Sequence, residues 1–373
     1  MLSLWAALLL PPVAYYFWMV KNKRKPRIQT NSNYQPHVSL IVATYNEAVV
    51  INEKLENIQK LDYPENKIQV IVVDSASNDG TLDVCKEFLA KTRFRFPIQL
   101  ISETERLGKS HALNVALKYA TGEIIATSDA DSFWDTDALR KAVSYFSDKS
   151  VGVVTGREEL TNVDKNIHTL SEGVYKGFFN TLRLGESNIH STLIIQGELA
   201  LYRRKIFDEF VDKPGYPDDN GTALKIISSG YRCIYAPEAV FHDKAPFSLK
   251  GRLQWKSRRA EHLIACVVQA FRLKIKEKFP LPWQVVFFNF YVHVVSPLLL
   301  IITLPTTAII YAVDFRSLWF LPIFLVPFLL KKPRIFAVSY LTSNLALLKG
   351  LSMQFTKKRN VVWTKIDEMR DKN

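Results

Sequence analysis

Two long apolar stretches bracket this chain and restrict it to folds that a bilayer can hold near both ends. Leu2 to Val20 carries no charged side chain, and it has about the length of a membrane-spanning helix, roughly 20 residues. Lys21, Lys23, Arg24, Lys25 and Arg27 follow it and no basic side chain precedes it. A secretory signal peptide shows the opposite charge order. An uncleaved anchor is expected, with its N-terminus outside and residue 21 onward in the cytosol. Trp283 to Val313 is long enough to span with tilt. Asp314 to Ser317 turns into a second apolar run, Leu318 to Leu330, which Lys331, Lys332 and Arg334 stop. The two runs read as a helical hairpin. Ile335 to Phe355 carries Ser339, Thr342, Ser343, Asn344 and Lys349. An amphipathic helix in the cytosolic interface is expected there, because a span would export Lys357, Lys358 and Arg359. These readings give three spans, a multi-pass protein of the cell membrane and a cytosolic C-terminus.

The net charge is +13, and the basic residues cluster beside the apolar segments. That placement suits anionic lipid headgroups and argues against a nucleic-acid partner. Cys85, Cys233 and Cys266 lie far apart in apolar contexts. They read as small buried hydrophobes, without metal-ligand spacing.

Between the apolar ends, short apolar runs alternate with helical patterns. Strands are expected over Val38–Ala43, Ile68–Val73, Ile98–Ile101, Ile124–Thr127 and Val151–Val154, and helices over Glu47–Lys60 and Lys109–Ala120. Such alternation implies an α/β fold with a mostly parallel sheet covered on both faces. Polar residues follow the strand ends: Thr44 and Glu47, Asp74, Arg106, then Asp129 and Asp131. Strand ends converging on polar groups form a crevice of nucleotide size. Neither G-x-G-x-x-G after the first strand nor G-x-x-x-x-G-K-[ST] occurs, which disfavours a dinucleotide-binding dehydrogenase and a P-loop NTPase. Asp129 and Asp131 are two apart on an extended backbone, so both carboxylates point the same way. They can reach one hard cation completed by substrate phosphates.

The order of these pieces resembles the inverting glycosyltransferases of family 2, which have the GT-A fold. Val38 to Glu47 looks like that family's opening strand and nucleotide loop, and Asp74 to Thr81 like its second loop. Arg106-Leu107-Gly108-Lys109, with Ala112-Leu113-Asn114, matches its third block, and Asp129-Ala130-Asp131 its metal motif. Gly197 with Tyr202-Arg203-Arg204 is similar to the acceptor-side segment. Asp218-Asp219, ahead of Gly230, matches the acidic pair. The flanking apolar helices resemble the membrane-bound branch that includes cellulose and hyaluronan synthases. The resemblance implies an anchor at 1–20, a basic and polar linker at 21–35, a cytosolic GT-A catalytic domain at 36–260, and interfacial and transmembrane helices with a cytosolic tail at 261–373.

It also implies roles. Asp74 would hydrogen-bond the base, most often uracil, and Thr44 and Glu47 would line the same pocket; Glu47 reads equally as a first-turn helix residue. Arg106 and Lys109 would face the diphosphate. Asp131 is the first choice for Mg²⁺ or Mn²⁺, Asp129 would meet the ribose or share the metal, and His242 could complete the shell. Asp219 would be the general base for an acceptor hydroxyl, with Asp218 raising its pKa or orienting it. Gly197, Arg258 and Arg259 would serve the acceptor and diphosphate side. Processive members carry Q-x-x-R-W before the membrane helices. Here the segment reads Gln254-Trp255-Lys256-Ser257-Arg258-Arg259, so Arg259 stands where that tryptophan belongs. This favours a few sugar transfers from a nucleotide sugar to a lipid-linked or glycan acceptor over polymerisation. A polyprenyl-phosphate sugar synthase, whose acceptor needs no base, is the alternative; a non-catalytic membrane scaffold is the other.

Overall fold

The computed structural model describes residues 2–25, 28–163, 166–212, 218–314 and 329–356. β1 (Val38–Thr44), β2 (Ile68–Asp74) and β4 (Ile124–Asp129) are nearly continuous apolar runs, as expected of strands covered on both faces. α2 (Ile51–Gln59), α3 (Thr81–Lys91) and α4 (Lys109–Leu117) connect them, and β3 (Ile98–Ser102) forms the edge. All pairings in the order β3-β2-β1-β4 are parallel. The register aligns Thr44 with Asp74 and Ala43 with Asp129, so these strands finish level.

Beyond β4 the sheet reverses. β7 (Ala200–Arg203) runs antiparallel to β4 and to β6 (Val151–Leu160). β8 (Arg232–Asp243) is parallel to β6, and the short β5 (Phe133–Trp134) is antiparallel to β8. The crevice therefore opens where strand direction changes, the usual ligand position in open α/β sheets. Alternate side chains feed two cores: Leu40, Val70 and Ala126 on one face, Ile41, Ile71 and Ile125 on the other. Full burial of such side chains stabilises by about 1.5–3 kcal/mol each.

The second face is covered by α6 (Ile167–Ile189), α7 (Asp218–Ser228) and α8 (Leu249–Ile275), while α5 (Ala138–Ser144) lies on the first. Asn166 caps α6 with a reciprocal bond to Thr169, and Ser248 caps α8. α1 (Leu2–Asn22) packs along α6. α9 (Trp283–Phe290), a π turn and α10 (Ser296–Val313) make one continuous rod. α11 (Lys331–Thr356) packs on α6, α8 and α10. A buried polar junction joins α1, α6 and α9. Tyr15 Oη and Asn289 Nδ2 both donate to Glu186 Oε1, at 2.5 and 2.7 Å, and Thr192 Oγ1 donates to Glu186 Oε2 at 3.0 Å.

Among the described residues, three helices are long and apolar enough to cross a membrane: Leu2–Asn22, Trp283–Val313 and Lys331–Gln354. The third covers the stretch where an interfacial helix is expected. Its polar residues Ser339, Thr342 and Asn344 are 5, 8 and 4 % exposed, whereas Phe336 and Leu345 are each 53 % exposed. Ser339, Thr342 and Asn344 turn onto the protein, while Phe336, Leu345 and Lys349 face outward. The run Leu318–Leu330 lies largely outside the described residues, and Lys357, Lys358 and Arg359 wholly so.

Candidate active site

The site assembles at the level ends of β1, β2 and β4. Thr44 Oγ1 donates to Asp74 Oδ1 at 3.2 Å, and Ser77 donates to the same carboxylate through its backbone N–H and its hydroxyl. Asp74 thus forms the local turn and remains at the crevice wall. Glu47 is buried at the start of the turn into α2, where its carbonyl accepts from Val50 and Ile51. The Arg106 guanidinium stacks 3.5 Å over the Tyr45 ring.

Gly108 precedes α4 with φ +108°, a conformation that excludes ordinary side chains and lets Lys109 start the helix at the crevice. Lys109 Nζ lies 2.7 Å from Asp129 Oδ1 and 3.1 Å from Asp219 Oδ2. One ammonium thus bridges the acidic pair after β4 and the carboxylate that opens α7. Burial raises the Asp129 carboxyl against the pull of Lys109. The contact between Asp219 and Gly197 is equally restrictive. A Cβ at position 197 would lie 1.8 Å from Asp219 Oδ2, so only glycine admits the carboxylate. Asp218 begins α7, and its side chain lies outside the described residues.

α8 closes the site from the other side. Arg259 Nη2 pairs with Glu198 Oε1 at 2.5 Å, and the guanidinium lies within 3.9 Å of Glu158 and Asp243. Burial alone would raise the Glu198 carboxyl; Arg259 and then Lys109 hold it down at about 2. Burial and Arg259 lower Arg258 to about 10, opposed by Asp129 and Asp131, whose charges act on it. Arg258 and Arg259 therefore both meet the acidic site.

His242 does not. Its Nε2 lies 2.8 Å from Asp135 Oδ1. The next residue, Asp243, is the one whose charge couples to Asp131; its carboxyl is raised by burial and then by Asp131. Successive strand residues point to opposite sides, which accounts for the exchange. Tyr202 and Arg203 are also scaffold. Tyr202 is fully buried in the core, and Arg203 donates to the carbonyls of Val151, Phe146 and Asp148.

Several residues at the site escape the sequence reading. Lys54 is buried beneath the acidic pair, donating to Ser128 Oγ at 2.6 Å and Ser132 O at 2.5 Å. Burial brings it down to about 7, against Asp129 and Asp131. The available signal is its place in the apolar stripe Ile51, Leu55, Ile58 of α2. Glu198 follows Gly197 with no pattern of its own. Glu172 and Lys176 look like a solvated i, i+4 pair, yet Glu172 is buried against Arg252 and Lys256, and Lys176 pairs with Glu158.

A cavity of about 780 Å³ connects this centre to the apolar helices. Lys109, Asp129, Glu198 and Asp219 line one end. Leu9, Val13 and Phe17 of α1, Ser296 of the rod and Phe336 of α11 line the other. Trp255, one turn before the position where processive enzymes carry a tryptophan, also lines it, stacked under Arg259 at 4.1 Å.

Among the described residues, no three His, Cys, Asp or Glu side chains form a ready cation cage. Asp129 and Asp131 nonetheless supply two hard oxygen ligands at a strand end, a set that fits Mg²⁺ or Mn²⁺ completed by phosphate oxygens.

The family profile described as "Glycosyl transferase family 2" matches residues 39–211. The solved structure of the mannosyltransferase PcManGT from Pyrobaculum calidifontis, in complex with GDP-Man and Mn²⁺, is similar at a TM-score of 0.82 and 32% identity. The match covers 96% of this chain and 98% of that one. The probable glycosyltransferase YdaM of Bacillus subtilis (strain 168) is 26% identical over 267 residues, 69% of this chain and 64% of the relative. A poly-beta-1,6-N-acetyl-D-glucosamine synthase of Staphylococcus epidermidis is 26% identical over 249 residues, 65% of this chain and 58% of that one. The chain spans less than two thirds of the length of these two curated relatives.

Proposed function

The chain belongs to glycosyl transferase family 2, and we propose that it is a membrane-bound inverting enzyme moving a sugar from a nucleotide sugar to a hydroxyl of a lipid-linked acceptor. The cavity that joins Asp219 and Asp129 to the apolar faces of α1 and α11 carries this reading. An acceptor with a lipid tail can lie along those faces while its sugar reaches the crevice. A soluble acceptor would have no use for the apolar end.

In this mechanism Thr44 and Asp74 receive the base of the nucleotide, with Glu47 at the same turn. Lys109, Arg106 and Arg258 face the diphosphate and offset its charge. Asp131 and Asp129 would hold Mg²⁺ or Mn²⁺, which stabilises charge on the departing diphosphate when bound. Asp219 accepts the proton of the acceptor hydroxyl as its oxygen attacks the anomeric carbon from the face opposite the leaving group. The bond to the nucleotide diphosphate breaks and the anomeric configuration inverts. Gly197 allows Asp219 to stand there, and Arg259 with Glu198 positions the neighbouring wall. Residues 36–260 act as the cytosolic catalytic domain, 1–20 as the anchor, and the C-terminal helices as the membrane wall of the acceptor path.

The test uses the full chain in detergent or proteoliposomes, a panel of nucleotide sugars with Mg²⁺ or Mn²⁺, and lipid extracts as acceptors. Transfer of labelled sugar into the lipid fraction is expected with one donor. Asp219→Asn should lower turnover by about 10²–10⁴-fold, the usual contribution of a general base. Near-normal turnover in that variant would favour a phosphate acceptor and overturn the hydroxyl mechanism.

A further inference from the structure

The acidic pair after β4 is gripped from beneath by α2. Lys54 stands in the apolar stripe of that helix with Ile51, Leu55 and Ile58, and it is 1 % exposed. Its Nζ donates to Ser128 Oγ at 2.6 Å and to the Ser132 carbonyl at 2.5 Å. These two acceptors flank Asp129 and Asp131 in the sequence. One side chain thus ties both ends of the turn that carries both carboxylates. One turn of α2 further on, Asn57 continues the grip. Its Nδ2 donates to the Trp134 carbonyl at 2.8 Å, and its Oδ1 accepts from the Trp134 N–H at 2.9 Å. The indole Nε1 of Trp134 donates in turn to the Glu198 carbonyl at 2.9 Å. Gly197, the residue before Glu198, is the one against which Asp219 packs. A continuous set of bonds therefore runs from α2, through residues 128–134, to the seat of Asp219.

Burying an amine in an apolar stripe is costly unless its hydrogen bonds are made. An apolar side chain would pack α2 on the sheet without that cost. What Lys54 adds is the pair of bonds to the turn. The turn has need of them. Within it the Ser132 N–H reaches the Asp129 carbonyl at 3.4 Å, long for such a bond. Two carboxylates held two residues apart also repel each other.

We propose that Lys54 is the positioning residue of the acidic pair. By gripping Ser128 and Ser132 it keeps Asp129 and Asp131 turned to the crevice, where a divalent cation arrives on the nucleotide diphosphate. Asn57 and Trp134 hold the same turn in register with Asp219. The inference rests on the assignment of Asp129 and Asp131 as cation ligands, and it adds the residues that keep those ligands in place.

The test uses the full chain in detergent. Binding of UDP and of GDP is measured by calorimetry with Mn²⁺ and with EDTA, and bound Mn²⁺ is counted by electron paramagnetic resonance. Ser128→Ala removes one bond and should lower the gain in affinity that Mn²⁺ confers about threefold; Lys54→Met removes both and should lower it about tenfold or more. Affinity in EDTA should change less than about twofold, because the base end of the crevice shares no partner with the turn. The double variant should be no weaker than Lys54→Met, since the bond to Ser128 can be lost only once. Ile58→Val, in the same stripe, should lower Tm and leave the Mn²⁺ gain intact. Trp134→Phe loses the indole donor alone and should lower kcat about threefold or more with the Mn²⁺ gain kept.

An Mn²⁺ gain that is unchanged in both Ser128→Ala and Lys54→Met overturns the proposal, as does one that rises in Lys54→Met. Equal losses with and without Mn²⁺, or a loss in Ile58→Val as large as in Lys54→Met, would mark general destabilisation and overturn it too. An unaltered kcat in Trp134→Phe refutes the link to Asp219. No Mn²⁺ gain in the unaltered protein would strike the cation assignment and the proposal with it. Failure of sugar transfer beside a Lys54-dependent Mn²⁺ gain would instead strike the enzymatic reading alone.

Discussion

Gly197→Ala is the sharpest test of the site, because one methyl group meets one side chain. The three heavy atoms nearest to a Cβ at 197 all belong to Asp219: Oδ2 at 1.8 Å, Cγ at 2.4 Å and Oδ1 at 3.1 Å. Real Cβ atoms do not approach closer than about 3.0 Å, so the carboxylate must retreat by about 1.2 Å. The retreat strains or breaks its 3.1 Å ion pair with Lys109. Misplacing a reacting group by about 1 Å costs on the order of 10²-fold in rate. Turnover should therefore fall about 10²-fold, with donor KM changed less than about twofold, since removing an interaction with the attacking group alone lowers kcat. The assay is initial-rate transfer from the active donor to lipid, with nucleotide binding measured in parallel. Asp219→Ala and the double variant Gly197→Ala/Asp219→Ala should have equal rates, because the clash has no target once the carboxylate is gone. A Gly197→Ala enzyme retaining more than about a tenth of its turnover would refute the placement of Asp219 at the reacting centre. So would a double variant much slower than Asp219→Ala.

Asp131→Asn should abolish the metal-dependent part of nucleotide binding while leaving thermal melting in detergent unchanged; calorimetry with and without EDTA checks this. Glu198→Gln tests the pair with Arg259. The folded carboxyl lies at about 2, below its ordinary 4.5, so its stabilisation is present above about pH 4.5 and fades as pH falls toward 2. Variant and unaltered protein should differ in Tm at pH 7 and converge in acid, and a pH-independent gap would refute the assignment. Tyr15→Phe should destabilise by about 1–3 kcal/mol, the scale of a buried bond to a charged acceptor, read as a lower Tm with no change in nucleotide affinity.

The strand-end part of the candidate site was legible in the sequence because parallel strands make it so. Each apolar run ends at a fixed level, and the polar residue that follows must face the crevice; Thr44, Asp74 and Asp129 obey this. The part around Asp219 was less legible. Asp219 and Gly197 were found through their resemblance to family blocks, but their mutual exclusion of a Cβ is a contact between segments far apart in sequence. His242 and Asp243 show how a one-residue choice in a strand decides which side chain feels the charge of Asp131. Lys54, Glu172 and Lys176 carry the residue types of solvated helix faces and are buried by elements distant along the chain. The polar residues of α11 belong with them: Ser339, Thr342 and Asn344 are buried, while hydropathy alone places such residues in water.

The junction of Tyr15, Glu186 and Asn289 also bears on how the protein is made. Its partners are 171 and 274 residues apart, so α1 cannot complete its contacts until α9 has been synthesised. Until α9 arrives, Glu186 is without its Asn289 donor, and burial alone would favour its neutral form. Closure of this clasp is thus a late step in biogenesis. Deleting α1 would remove both a wall of the cavity and the phenol that completes the clasp.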